Sequence, residues 1–317
     1  MKLSLVIPCY NEENNVLDFF RETEKVFSGC GFSYEYVFVN DGSKDNTLVN
    51  LKKLFNENPD SNIQIVDFSR NFGKESAIYG GLKEARGELT CLIDADLQQR
   101  PEVVLQMLSI LEQEEETDCV TAFQAKRKES VVSSYFKKSF YKLINKISET
   151  EFVDGASDFR LFRSNVKEAV LNMTEYFRFS KGLFSWVGFN TKYIPYEARQ
   201  RNDGSSKWSF TKLFKYAVEG IVSFSTSPLK LATYTGLASS AVAFLYALYV
   251  FIKRIFFGDP VQGYATIVIL ILLIGGLQLI CTGVIGEYLA KVFVQGKHRP
   301  INIVRKVYKK EERGNTK

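Results

Sequence analysis

Two aspartates one residue apart, Asp94 and Asp96, end an apolar run from Leu89 to Ile93, and the amide of Gln98 follows them. In an extended strand residues i and i+2 project to the same face, so both carboxylates can converge on one point just past the strand. That arrangement suits a hard divalent cation, which takes oxygen ligands and often shares them with substrate phosphates. The alternative is an acidic loop without a ligand, since such triplets also arise by chance. Other routes to catalysis are thinly supplied. The one histidine, His298, lies in a basic C-terminal stretch. Ser-His-Asp and Cys-His catalysis and histidine metal clusters are thereby excluded, and a general base is most simply a carboxylate. The five cysteines, Cys9, Cys30, Cys91, Cys119 and Cys281, lack metal-ligand spacing and read as reduced thiols.

Positioning the two carboxylates calls for a strand, and the preceding sequence supplies a series of them. Apolar runs at Leu3–Ile7, Tyr34–Val39, Ile63–Phe68 and Leu89–Ile93 read as buried strands. Each is followed by a helical pattern: an amphipathic stretch around Val16–Phe27, one capped by Ser43 or Asp45 and running to about Phe55, one from Glu75 to about Ala85, and one from Pro101 to Glu116. Four strand–helix alternations predict a mostly parallel sheet with helices on both faces. In such sheets ligands lie at the carboxyl ends of the strands. The candidate contacts all fall in the loops there: Pro8 to Glu12, Asp41 to Ser43, Arg70 to Lys74, and Asp94 to Gln98. No Walker P-loop and no GxGxxG is present, which argues against an ordinary ATPase or a dinucleotide dehydrogenase.

The second half differs in composition. No charged residue occurs from Leu231 to Ile252 or from Val261 to Gly286, and each run is long enough to cross a bilayer. Two transmembrane helices are expected, at about 231–254 and 261–290, within a segment 226–295 that follows a domain at 1–225. The tail from 296 to 317 is basic, whereas the connector Phe257–Gln262 has no cation. The positive-inside rule therefore makes the protein a multi-pass membrane protein whose N-terminal domain and tail are cytoplasmic. The tail reads either as solvated or as resting on anionic headgroups. Two lysine-flanked helical patterns, around Phe136–Ile147 and at about 207–225 (Trp208, Leu213, Tyr216, Ile221), are candidates for the membrane interface. The net charge of +5 is modest and no nucleic-acid partner is expected.

Val6-Ile7-Pro8-Cys9-Tyr10-Asn11-Glu12, Asn40-Asp41-Gly42-Ser43, Asp94-Ala95-Asp96-Leu97-Gln98 and Arg201-Asn202-Asp203-Gly204-Ser205-Ser206-Lys207-Trp208 stand in a familiar order. With the apolar hairpin, they resemble the glycosyltransferase family 2 enzymes that glycosylate polyprenyl phosphates, of the bactoprenol glucosyltransferase type and distantly of the dolichol-phosphate mannose synthase type. The resemblance covers essentially the whole chain. It implies a GT-A type, Rossmann-like α/β nucleotide-sugar-binding domain followed by a two-helix transmembrane hairpin. It implies an inverting transfer of a sugar from a nucleotide diphosphate sugar, UDP-glucose by default, to undecaprenyl phosphate on the cytoplasmic face. N-acetylglucosamine and galactose are alternative donor sugars.

By matching motif, Pro8, Tyr10, Asn11, Glu12, Asp41 and Ser43 resemble the nucleoside-binding residues. Asp94, Asp96 and Gln98 resemble the site for Mg²⁺ or Mn²⁺ and the donor diphosphate, and Lys74 is either a phosphate contact or a solvated cation entering a helix. Asp158 resembles the catalytic carboxylate near the acceptor and shares that role with Asp96; a turn cap is its plainer reading. Arg201, Ser205 and Lys207 resemble a loop over the donor diphosphate and lipid phosphate, with Arg127 and Lys137 as further acceptor contacts. Relatives imply a homo-oligomer, a tetramer being one such assembly. A processive polysaccharide synthase would carry more spans and a QxxRW-type motif, and neither is present. A non-catalytic membrane scaffold or nucleotide-sugar sensor on the same fold is the rival from another class.

Overall fold

The computed structural model describes residues 1–124, 156–198, 227–257 and 263–310. They divide into two units: 1–124, 156–198 and 299–310 form one, and 227–257 and 263–298 the other.

The first unit is built on strands β1 (Leu3–Cys9), β2 (Tyr34–Asn40), β3 (Ile63–Phe68), β4 (Leu89–Leu92), β5 (Cys119–Gln124), β6 (Ala156–Arg163), β7 (Thr191–Tyr196) and β8 (Val304–Lys309). They make one sheet in the order β7-β5-β6-β4-β1-β2-β3-β8. The four central strands are parallel, as the alternation predicts. The sheet is nonetheless mixed, because β6 runs antiparallel between β4 and β5, and β8 antiparallel on β3.

Helices α1 (Val16–Phe27), α2 (Thr47–Glu57) and α3 (Lys74–Glu84) connect the central strands, α4 (Pro101–Gln113) leads from β4 to β5, and α5 (Ser164–Asn172) and α6 (Ser180–Trp186) follow β6. Strand period sorts the core into two layers. Leu3, Leu5 and Ile7 pack with Phe19, Leu51 and Val104 on the face covered by α1, α2 and α4. Val6, Val37 and Val66 pack with Ile78, Val166 and Phe184 on the face covered by α3, α5 and α6. Gly80 of α3 is needed for a close approach: a Cβ there would lie 2.6 Å from Asn302 Nδ2 and 2.7 Å from the Phe68 ring.

The second unit consists of two long helices, α7 (Ser227–Phe257) and α8 (Tyr264–Gly296). The Cys281 thiol of α8 donates to the Ala232 carbonyl of α7. Large apolar side chains such as Leu231, Phe244, Leu279 and Phe293 are exposed along both helices. Among the described residues one stretch, Leu273–Gly296, is long and apolar enough to cross a membrane by length and composition. The tail differs from its reading as a solvated or lipid-bound end, since Val304–Lys309 is an edge strand of the sheet.

Candidate functional site

The parallel run of β1 to β4 brings four loops to one edge of the sheet. The loops after β1 and β2 are tied together. The Asn11 N–H donates to Ser43 Oγ at 3.1 Å, the Lys44 N–H to Asn11 Oδ1 at 2.9 Å, and the Glu12 N–H to Thr47 Oγ1 at 2.8 Å. Asn11 adopts φ +55°, a left-handed conformation that asparagine tolerates. Pro8 pairs with Val39 near the end of β1, and Tyr10 beyond it is exposed. Ser43 accepts from the first loop instead of capping α2, and Asp45 Oδ1 accepts the Thr47 N–H at 3.0 Å.

Asp41 is buried and joins the second loop to the third. Its two carboxylate oxygens accept the Phe72 and Gly73 N–H groups at 2.7 and 2.9 Å. Burial pushes its pKa up, against the pull of those two N–H donors and Arg70. Gly42 makes the junction possible. Its φ is +61°, and a Cβ there would lie 2.3 Å from Arg70 C and 2.5 Å from Asn71 N.

The acidic loop after β4 is folded on itself. Leu97 at φ +57° turns the chain so that the Gln98 N–H reaches Asp96 Oδ1 at 3.1 Å. The side chain that holds Asp94 is Gln99, not Gln98. Gln99 Oε1 accepts the Asp94 N–H at 2.9 Å, and its Nε2 donates to Asp94 Oδ2 at 3.0 Å. Lys74, first residue of α3, places Nζ 2.6 Å from Asp94 Oδ1 and 3.4 Å from Asp158 Oδ2.

Asp158 arrives there by strand register. β6 pairs antiparallel with β4 from Leu89↔Arg163 to Leu92↔Arg160. Carrying that register two residues further sets Asp158 opposite Asp94. Its Oδ1 is buried without a hydrogen-bond partner. Burial pushes Asp158 up, but Lys74, Lys181 and Arg160 overcome it and hold the carboxyl below the usual range. Lys74 is pushed down by burial and raised further by Asp94 and Asp158, so it stays a cation. Glu75 is raised by burial and by the neighbouring Asp158 charge, while it accepts the Ser180 N–H at 2.8 Å and the Ser180 hydroxyl.

The structure thus joins Lys74, Asp94 and Asp158 directly, and gathers Asn11, Glu12, Asp41 and Ser43 in adjoining loops. Arg127, Lys137, Arg201, Ser205 and Lys207 lie outside the described residues, as do the two interfacial helical patterns. Sequence reasoning missed Gln99, one position past the amide it chose, and Glu75, beside the lysine it chose. No local signal marks Ser180 and Lys181, which reach the site only through the packing of α6.

Comparison with known proteins places the chain among characterised sequence families. The model of the family "Glycosyl transferase family 2" matches residues 4–171, and that of the "GtrB C-terminal hairpin" matches residues 227–292. The chain is 40% identical over 305 residues to the glycosyltransferase sll0501 of Synechocystis, covering 96% of this chain and 95% of the relative. It is 38% identical over 309 residues to the bactoprenol glucosyl transferase of Shigella phage SfV, covering 96% and 98%. It is also 38% identical over 313 residues to the prophage bactoprenol glucosyl transferase homolog of Escherichia coli K12, covering 98% and 100%.

Proposed function

Because the chain belongs to glycosyl transferase family 2 and is a glycosyltransferase with a GT-A type domain, we propose that it transfers glucose from UDP-glucose to undecaprenyl phosphate, with inversion, at the cytoplasmic face of a membrane. The relatives named for bactoprenol glucosyl transfer support the choice of sugar and acceptor. The observation that carries the reading is the Lys74 ammonium, which touches Asp94 on the donor side at 2.6 Å and Asp158 on the acceptor side at 3.4 Å.

Pro8, Tyr10, Asn11, Glu12, Asp41 and Ser43 hold the nucleoside, with Tyr10 stacking on the base. Asp94 and Asp96 face the diphosphate. Among the described residues no three metal-ligating side chains are grouped, but two carboxylates plus substrate phosphates are an ordinary donor set for Mg²⁺ or Mn²⁺, and they fit one here. When bound, the ion would stabilise the negative charge that builds on the departing UDP. A lipid-phosphate oxygen attacks the anomeric carbon as the bond to UDP breaks, and the bonding pair leaves with UDP. At neutral pH the acceptor phosphate is largely dianionic, its second pKa being about 6. Asp158, already ionised, therefore orients the acceptor and takes a proton only from a monoanionic phosphate. Lys74 offsets the anionic charge between the two substrates, and Arg127, Lys137, Arg201, Ser205 and Lys207 supply the remaining phosphate contacts. The apolar helices keep the site where a polyprenyl phosphate resides.

The test uses the full chain in detergent with labelled UDP-glucose, Mg²⁺ or Mn²⁺, and undecaprenyl phosphate. Labelled glucose should pass into the lipid phase, with UDP release that requires the lipid phosphate. Product from another UDP-sugar alone would overturn the glucose assignment, and no lipid-linked product from any nucleotide sugar would overturn the reading.

A further inference from the structure

The strand β8 lies far along the chain from the donor loops, yet its Arg305 side chain reaches the root of the loop after β3 directly and that of the loop after β2 through Asp67. It pairs antiparallel with β3 from Gln64↔Lys309 to Asp67↔Lys306, and then the register shifts so that Phe68 faces Val304. Arg305 is the extra residue of that bulge. Bulges re-aim a side chain that regular pairing would point elsewhere, and they recur next to active sites.

Here the guanidinium is aimed at two groups. Nη2 donates to the Ser69 carbonyl at 2.8 Å, and Nη1 lies 3.7 Å from Asp67 Oδ2. Ser69 is the first residue of the loop that leads to Phe72 and Gly73. It is held again from the same segment, its N–H donating to the Ile303 carbonyl at 3.0 Å. The Asp67 side chain is 3% exposed, and its Oδ1 accepts from Asn40 Nδ2 at 2.8 Å. That bond fixes which way the Asn40 amide faces, because its NH2 is the half that donates. Asn40 Oδ1 then accepts the Ser43 N–H at 3.3 Å, which closes the turn carrying Asp41 and Gly42. Arg305 therefore stands at the base of both loops that Asp41 bridges.

We propose that Arg305 is a positioning residue for the donor nucleotide: through Asp67–Asn40 and through Ser69 it sets the separation and orientation of the loops after β2 and β3, the first carrying Asp41 and Ser43 and the second leading to Lys74. The inference rests on the donor-site reading above and extends the site to the last strand of the sheet. Arg305 touches no reacting atom, so its effect is on donor binding. Lysine can replace its charge but not its two-pronged reach, since a guanidinium presents donors in a fixed fork.

The experiment measures binding of UDP with Mn²⁺ to the full-length protein in detergent by calorimetry, together with donor KM and kcat. R305Q should weaken UDP binding about three- to tenfold, the loss of one hydrogen-bonded clamp. Donor KM should rise by the same factor with kcat little changed, and R305K should recover part of the affinity. Wild-type UDP affinity in R305Q, even with a lowered melting temperature, would make the residue merely structural and overturn the proposal. Where R305Q does not fold, R305K alone decides: weaker UDP binding than wild type is expected, and equal binding overturns it. A wild-type protein that binds no UDP would instead bring down the donor-site reading itself.

Discussion

Replacing Gly42 by alanine tests whether the second and third loops meet as closely as the geometry requires. Two separable costs are expected. A left-handed φ of +61° costs a residue with a Cβ about 1–2 kcal/mol. The added methyl would also lie 2.3 Å from Arg70 C and 2.5 Å from Asn71 N. Those are backbone atoms that cannot rotate away, and forced overpacking of this kind costs about 1–3 kcal/mol. The sum is about 2–5 kcal/mol. Two other glycines separate the terms. Gly31 has φ +67° and open space, with nothing within 4 Å of where a methyl would sit, whereas Gly29 has the open space without the positive φ. G29A should therefore be near neutral, G31A should lose the conformational term alone, and G42A should lose both. Thermal melts of the full-length variants read the difference, at roughly 2–4 °C per kcal/mol for a fold of this size. UDP titration reads the functional side: G42A should weaken binding about tenfold as Asp41 is pushed away from the Phe72 and Gly73 N–H groups. G42A melting with G31A and binding UDP normally would refute the close contact and the role given to Asp41 as a bridge.

Three further outcomes are expected. K74M leaves Asp94 and Asp158 facing each other without their shared cation, and should lower single-turnover transfer by about 10²-fold; a loss under threefold would remove Lys74 from the site. Gln99→Leu strips Asp94 of the partner that engages both its N–H and its carboxylate; it should destabilise the fold by about 1–3 kcal/mol and weaken Mn²⁺ binding, as read by melting and by electron paramagnetic resonance titration. Asp158 is held below the usual carboxylate range, so it contributes stability above the ordinary aspartate value of about 3.9 and loses it as pH falls through its folded value. The melting-temperature gap between wild type and D158N should therefore be open at pH 7 and close on acidification below about pH 4, and a gap independent of pH would contradict the charge environment described.

What the sequence revealed and what it hid follow from the range of the interactions. The four strand–helix units and the loops at their ends were readable because apolar period and turn chemistry are local. Leu3–Cys9 and Tyr34–Asn40 extend their expected strands by two residues and one, and Ile63–Phe68 matches its expected bounds. The strands β5 to β8 were not readable, because their pairing is settled by partners distant in sequence. Asp158 illustrates the difference. By itself it was most simply a cap, and only the β4–β6 register sets it opposite Asp94. Arg305 sits in Val304–Lys309, where cations interrupt the apolar alternation, so the segment looked like a solvated tail. Its bulge, which no spacing rule announces, turns that arginine toward Asp67 and Ser69.

The place of β8 in the chain has a consequence for biogenesis. It is the edge strand beside β3, yet it follows both long helices in order of synthesis. The edge of β3 therefore leaves the ribosome unpaired and stays so until the hairpin has been made. During that interval the loop rooted at Asp67 and Ser69 lacks its clamp, and the exposed strand edge is available to a foreign strand. On the donor-site reading proposed above, the clamp on this loop is completed only after the two long helices have been made.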